Sequence, residues 1–185
     1  MPGPPQVLTV GHSTHASDRF TALLRAHRIE LLGDVRRYPG SRRHPQFGAD
    51  SLGASLEVSG IAYQSMGEQL GGRRRPRRDS PNTGWRVAAF GAYADHMQTP
   101  EFADGLERLE SLARERRTAI MCAEGDWRRC HRRLISDALV MRGWRVVHIR
   151  PDGGSEEHVL TPFAVPAKTG VIYPAGLQAP LDIPD

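Results

Sequence analysis

The sequence predicts a single α/β domain, a three-layer Rossmann-like arrangement with a mainly parallel sheet and helices on both faces. Short apolar runs alternate with longer stretches of helical period, the pattern of successive strand–helix–strand units. A length of 185 residues suits one domain with a sizeable core and is short for two. Several apolar runs also end directly in polar segments, as strands do where their carboxyl ends carry a site.

Leu8-Thr9-Val10 reads as the first strand and stops at Gly11. Ser17 or Asp18 opens a helix to about His27, with Phe20, Leu23 and Leu24 on one face. Ile29 to Val35 is the second strand, and Asp50-Ser51 starts a helix that ends near Gly60. Ile61 to Tyr63 is a short third strand. Glu68 to about Gly84 has no periodicity and is rich in Gly and Arg, which predicts a mobile excursion. Trp85 to Met97 has mixed helical character, and Thr99-Pro100-Glu101 opens a clearer helix carrying Phe102, Leu106, Leu109 and Leu112. Ala119 to Cys122 is a buried strand, Cys130 to Met141 a helix, and Arg145 to Ile149 the last strand of the core. The expected organisation is a flexible N-terminus over 1–6, the α/β domain over 7–150, and a proline-rich extended tail over 151–185 laid on the domain. One added strand is expected around Gly170 to Tyr173.

Apolar residues make up 39% of the chain and charged ones 25%, which excludes a disordered polymer. No apolar run approaches the roughly 20 residues of a membrane helix. The start, Met1-Pro-Gly-Pro-Pro5, does not read as a secretory signal. A cytoplasmic protein with reduced thiols and no membrane partner is expected. The formal net charge is +4, and Lys168 is the sole lysine, so 24 of the 25 basic residues are arginine. Arginine's planar fork binds phosphate and carboxylate through two hydrogen bonds at once. That favours a phosphate-bearing or nucleic-acid partner, although arginine in place of lysine throughout also fits a codon bias.

Four segments carry the candidate chemistry. In Gly11-His12-Ser13-Thr14, His12 offers an acid or base and Ser13 a hydroxyl for phosphate, while a turn and helix cap is the plain alternative. In Asp34-Val-Arg36-Arg37-Tyr-Pro-Gly-Ser41-Arg42-Arg43, Asp34 sits where a carboxylate orients water, and Arg36, Arg42 and Arg43 offer an anion clamp. An Asp34–Arg36 ion pair that only holds the loop is the alternative. Tyr63 closes the third strand and can reach the same rim.

The fourth segment runs from Cys122 through Glu124 to Cys130-His131-Arg132. Cys122 and Arg128 satisfy C-x5-R, the spacing of phosphatase and sulfurtransferase loops, but Glu124 and Asp126 inside that loop repel an anion. Glu124 and His131 are candidate catalytic groups, Arg132 a phosphate ligand, and Cys122 and Cys130 candidate nucleophiles or simple packing residues. The C-x7-C-H spacing matches no standard zinc pattern, so neither a metal nor a cofactor is expected. Arg73, Arg74 and Arg75, with Trp85 nearby, are candidate nucleic-acid contacts.

Taken in order, Val10-Gly11-His12-Ser13, then Asp34-Val35-Arg36 with Pro39, Ser41 and Phe47, then Tyr63 with Leu70-Gly71-Gly72, then Phe90 with Tyr93 and Met97, and last Cys122-Ala123-Glu124 with Cys130-His131-Arg132, resemble the DUF488 family over residues 8–150. The resemblance implies that these blocks belong together; it carries no reaction with it. The expected function is a hydrolase of a phosphate-bearing nucleotide or nucleic acid, base excision from DNA being one version. A Cys-dependent phosphatase or sulfurtransferase and a non-catalytic nucleotide- or DNA-binding module are the rivals.

Overall fold

The computed structural model describes residues 3–40 and 42–176; Met1, Pro2, Ser41 and the end of the expected tail lie outside them. Strands β1 (Gln6–Gly11), β2 (Leu31–Asp34), β3 (Ala62–Ser65), β4 (Thr118–Cys122) and β5 (Arg145–Ile149) are parallel neighbours in one sheet. With β6 (Ser155–Glu157) antiparallel on β5, the six-stranded order is β3-β2-β4-β1-β5-β6. The architecture is mixed α/β with a mostly parallel sheet, as the alternation of elements predicts.

Side-chain alternation along the strands divides the interior into two clusters. Leu8, Val10, Leu32, Ala119 and Met121 meet Phe20, Leu23 and Leu24 of α1 (Ser17–Ala26) and Leu52 and Leu56 of α2 (Ala49–Val58). Val7, Ile120, Cys122 and Val146 belong to the other cluster. There they join Tyr93 of α4 (Ala88–His96), Phe102, Leu106 and Leu109 of α5 (Pro100–Glu115), and Leu134, Ile135 and Leu139 of α6 (Arg132–Met141). This alternation sends the Cys122 side chain to the Ile120 face, towards α6. No helix among the described residues is long and apolar enough to cross a membrane.

Several boundaries shift for local reasons. β2 begins at Leu31 because Arg28 takes a left-handed φ of 55° and the Ile29 amide donates to the Leu24 carbonyl, which closes α1. α4 starts at Ala88, after Trp85 turns away to meet Phe90, Phe163 and Tyr173. α6 starts at Arg132, which leaves Cys130 just before the helix.

Glu68–Gly84, expected to be mobile, is tied down. After the short helix α3 (Gly67–Leu70), the Arg74 guanidinium donates to the carbonyls of Glu68, Gln69 and Gly71. The buried Asp95 carboxylate then accepts from the Arg77 amide, the Ser80 hydroxyl and the Asn82 side-chain amide. An arginine-rich segment with no period becomes ordered because a buried carboxylate gathers its donors.

The tail is held in the same way. Val165–Ala167 (β7) and Gly170–Ile172 (β8) form a hairpin. Asp137 on α6 accepts from His158 Nε2 at 2.8 Å, the Thr161 amide at 2.9 Å and the Tyr173 hydroxyl at 2.9 Å. Tyr173→Phe removes one buried bond to a charged acceptor, which costs about 2 kcal/mol. Urea denaturation is expected to show a lower midpoint with an unchanged slope; an unchanged midpoint rejects the anchor.

Candidate active site

After β2 the chain runs outward to β3, whereas after β4 it crosses to β5 on the opposite side. The loops leaving these adjacent strands therefore diverge, and a crevice opens at their carboxyl ends. A cavity of about 380 Å³ occupies it, lined by Arg37 and Tyr38 after β2, Gly72 and Arg73 after α3, and Cys122, Glu124, Arg129, Cys130 and His131 around the β4–α6 turn.

Gly11 permits this arrangement. A Cβ there would lie 1.9 Å from the Glu124 carbonyl oxygen, so the end of β1 must be bare for the β4–α6 loop to cross it. The next residues continue the contact, with the His12 and Ser13 amides donating to the Cys122 and Ala123 carbonyls.

Asp34 is fully engaged. One carboxylate oxygen accepts from the Arg36 amide at 3.0 Å and Arg36 Nε at 2.9 Å. The other accepts from Arg36 Nη2 at 2.6 Å and the Tyr63 hydroxyl at 2.8 Å. Arg36 also donates to the Phe47 carbonyl. Burial works against the Arg36 charge, and the Asp34 carboxylate more than restores it. Burial and the same carboxylate push the Tyr63 hydroxyl well up. The expected clamp at Arg36 is thus an internal ion pair that shapes the loop, and Asp34 holds no free lone-pair direction for water.

His12 stacks on Phe47 at 4.2 Å between ring centroids, and its Nδ1 bonds the Ser13 carbonyl. Burial lowers its pKa from 6.5 to about 4, helped by the Arg36 charge. It is a neutral wall residue outside the cavity, as is Ser13 in its left-handed turn. Arg42 and Arg43 are exposed and do not line the cavity. Of the basic run, Arg73 lines the cavity, and Arg74 and Arg75 border an adjoining polar recess with Arg37 and Tyr38. Trp85 is packed in an aromatic cluster beside Arg133, away from that recess.

At the β4–α6 turn the C-x5-R spacing does not close into an anion loop. The Arg128 guanidinium lies over Trp127 and pairs with Glu156 at 3.0 Å, so it does not cover Cys122. Arg132 takes the interior position. It is fully buried and donates to the Thr9 hydroxyl at 3.1 Å and to the Glu124 carbonyl. Among the described residues it has no carboxylate partner, and its Nε is unbonded. It is therefore a structural cation beside the cavity floor.

His131 Nε2 lies 2.9 Å from the Val35 carbonyl oxygen, which can only accept, so Nε2 carries the proton. Nδ1 faces both sulfurs, 3.9 Å from Cys122 and 3.7 Å from Cys130. The thiols divide unequally. Hydrogen bonding to Cys130 and burial push Cys122 well up. Burial opposes ionisation of Cys130 too, but the bond from Cys122 and the proximity of His131 and Arg132 pull it well down.

The groups with free capacity include Glu124, a candidate from the sequence, and rim residues that sequence reasoning passed over. Arg37 Nη1 is buried with no acceptor, and Arg129 and Tyr38 complete the rim. The signal for Arg37 was available: Asp34 and Arg36 are spaced to pair, which leaves the next arginine unspent. Glu124 is exposed at the cavity, and its carboxylate has no partner among the described residues.

Residues 16–139 match a family described as a domain of unknown function, DUF488. The chain belongs to the DUF488 family. The match takes in the β2, β4 and α6 segments that build the cavity and leaves Gly11 to Ser13 outside. No curated protein and no solved structure matches this DUF488 chain.

The depressed pKa of His12, lowered to about 4 from 6.5, makes an acid-side prediction for this DUF488 fold. The unfolded chain binds the proton first as pH falls, so stability is full above about 6.5 and declines towards about 4. Urea midpoints measured across that window are expected to fall, and less steeply in His12→Phe; equal slopes remove His12 from the effect.

Proposed function

We propose that the cavity is the active site of a hydrolase acting on a phosphate-bearing nucleotide or a nucleic acid, base excision from DNA being one version, on a Rossmann-like fold in the cytoplasm. The reading is carried by Arg37: a guanidinium nitrogen buried without an acceptor, in a cavity that also holds Arg73 and Arg129. An unsatisfied buried donor on a permanent cation calls for an anionic acceptor, and substrate phosphate is one. Tyr38 is 64% exposed, with the Arg37 guanidinium 5.8 Å from its ring centroid, and supplies a face on which a base can stack.

In this reading Arg37, Arg73 and Arg129 hold phosphate, and Glu124 orients and deprotonates the attacking water, the role expected from the sequence of Asp34 or Glu124. Asp34, Arg36 and Tyr63 position the loop that presents Arg37. His131 Nδ1 faces the two sulfurs at the floor.

The test is a turnover screen over nucleotides and oligonucleotides with intact and damaged bases, read by product release. Glu124→Gln is expected to lower kcat about 100-fold or more with binding retained. Arg37→Ala is expected to weaken binding and to flatten its salt dependence. Salt-independent binding, or full turnover in Glu124→Gln, rejects the assignment.

A further inference from the structure

The three side chains on the cavity floor have a property that phosphate binding does not use. Cys122 ends β4, and Cys130 and His131 precede α6. The β4–α6 turn folds them back until both sulfurs and His131 Nδ1 lie within 4.8 Å of one another. Two thiols and one imidazole lone pair converging on a point form a soft donor set.

The spacing suits a tetrahedral zinc ion. Zinc bonds to sulfur at about 2.3 Å and to imidazole nitrogen at about 2.0–2.1 Å, so a tetrahedral site has sulfur–nitrogen edges of about 3.5 Å. The two sulfur–nitrogen edges here are 3.9 and 3.7 Å, so a few tenths of an ångström of movement brings both to that length. The second nitrogen of His131 already donates to the Val35 carbonyl, the outer contact that aims a metal-binding imidazole. Arg132, buried without a carboxylate, donates its amide to Cys130 Sγ and supplies positive charge beside two sulfurs that become thiolates on binding. Zinc and two thiolates sum to zero, so the complex adds no net charge beside the arginines.

We propose that Cys122, Cys130 and His131 form a mononuclear site for a thiophilic d10 metal ion, zinc(II), with the remaining coordination position open to the cavity. All three residues line that cavity, so a metal-bound water there faces the pocket that Glu124 also borders. The role of the ion in turnover rests on the hydrolase reading above; its binding does not.

The experiment uses the full chain, stripped with a chelator under reducing conditions and titrated with cobalt(II), then with zinc(II) in competition with a chromophoric chelator. One ion per chain is expected, with an intense near-ultraviolet thiolate-to-cobalt band and visible bands of tetrahedral intensity. Cys122→Ser and Cys130→Ser are each expected to abolish the charge-transfer band or halve it and to weaken zinc binding by about 100-fold, roughly 2.7 kcal/mol. If either variant fails to fold, iodoacetamide labelling of the unaltered protein serves instead, and zinc is expected to protect both cysteines.

Absence of stoichiometric binding overturns the proposal, as does binding unchanged in both serine variants. Binding of copper(I) alone, with no cobalt band, overturns the zinc assignment. Rapid alkylation that zinc does not slow overturns it in favour of a free thiol nucleophile. Metal bound with no turnover of any substrate in the screen leaves this site standing and removes only the hydrolase reading.

Discussion

The buried guanidinium of Arg132 is the interaction on which the rest of this structure turns. It sits at the first turn of α6 and reaches under the sheet ends to Thr9 on β1 and the Glu124 carbonyl, joining strand, loop and helix at one point. Because the guanidinium can only donate, Thr9 Oγ1 accepts from Arg132, and it also bonds His148 Nδ1 at 2.7 Å. At the far end the Asp137 carboxylate accepts from His158 Nε2, and His158 Nδ1 meets His148 Nε2 at 2.9 Å. A continuous polar line thus runs through the interior from Arg132 to Asp137. Burial, the neighbouring His158 and the Arg132 charge all lower the His148 pKa.

The same cation explains the character of the site. A buried positive charge without a carboxylate raises the potential around it, and the two sulfurs at the cavity floor lie in that field. Asp34 does the opposite service for Arg36, neutralising it completely. The β2 loop therefore presents Arg37 rather than Arg36, and the β4 loop presents Glu124 and His131 over an electropositive floor. One ion pair is closed so that its neighbours remain available.

Rigidity around the cavity comes from carboxylates that gather donors from distant segments. Asp95 orders the arginine-rich stretch before α4, and Asp137 anchors the tail through His158, Thr161 and Tyr173. Asn82 joins the two systems, since its side-chain oxygen accepts from the Tyr173 amide. The rim residues Gly72 and Arg73 are thereby held against a fixed frame.

By itself the sequence determined the α/β class, the order of the core elements and the rim on which Asp34, Tyr63, Cys122, Glu124 and His131 gather. Those features follow from local periodicity and from the polar residues that end each apolar run, both written along the chain. Only the tertiary structure decided which of these groups are free. Asp34 and Arg36 are two residues apart in either reading, and it took Tyr63 and Phe47, brought in from elsewhere, to saturate them. Cys122 lies eight and nine residues from Cys130 and His131, a spacing that no linear pattern marks; the β4–α6 turn and the bare Gly11 beneath it bring them together. Whether a charge serves structure or chemistry depends on partners distant in sequence, and hydrogen-bond saturation is a property of the folded neighbourhood.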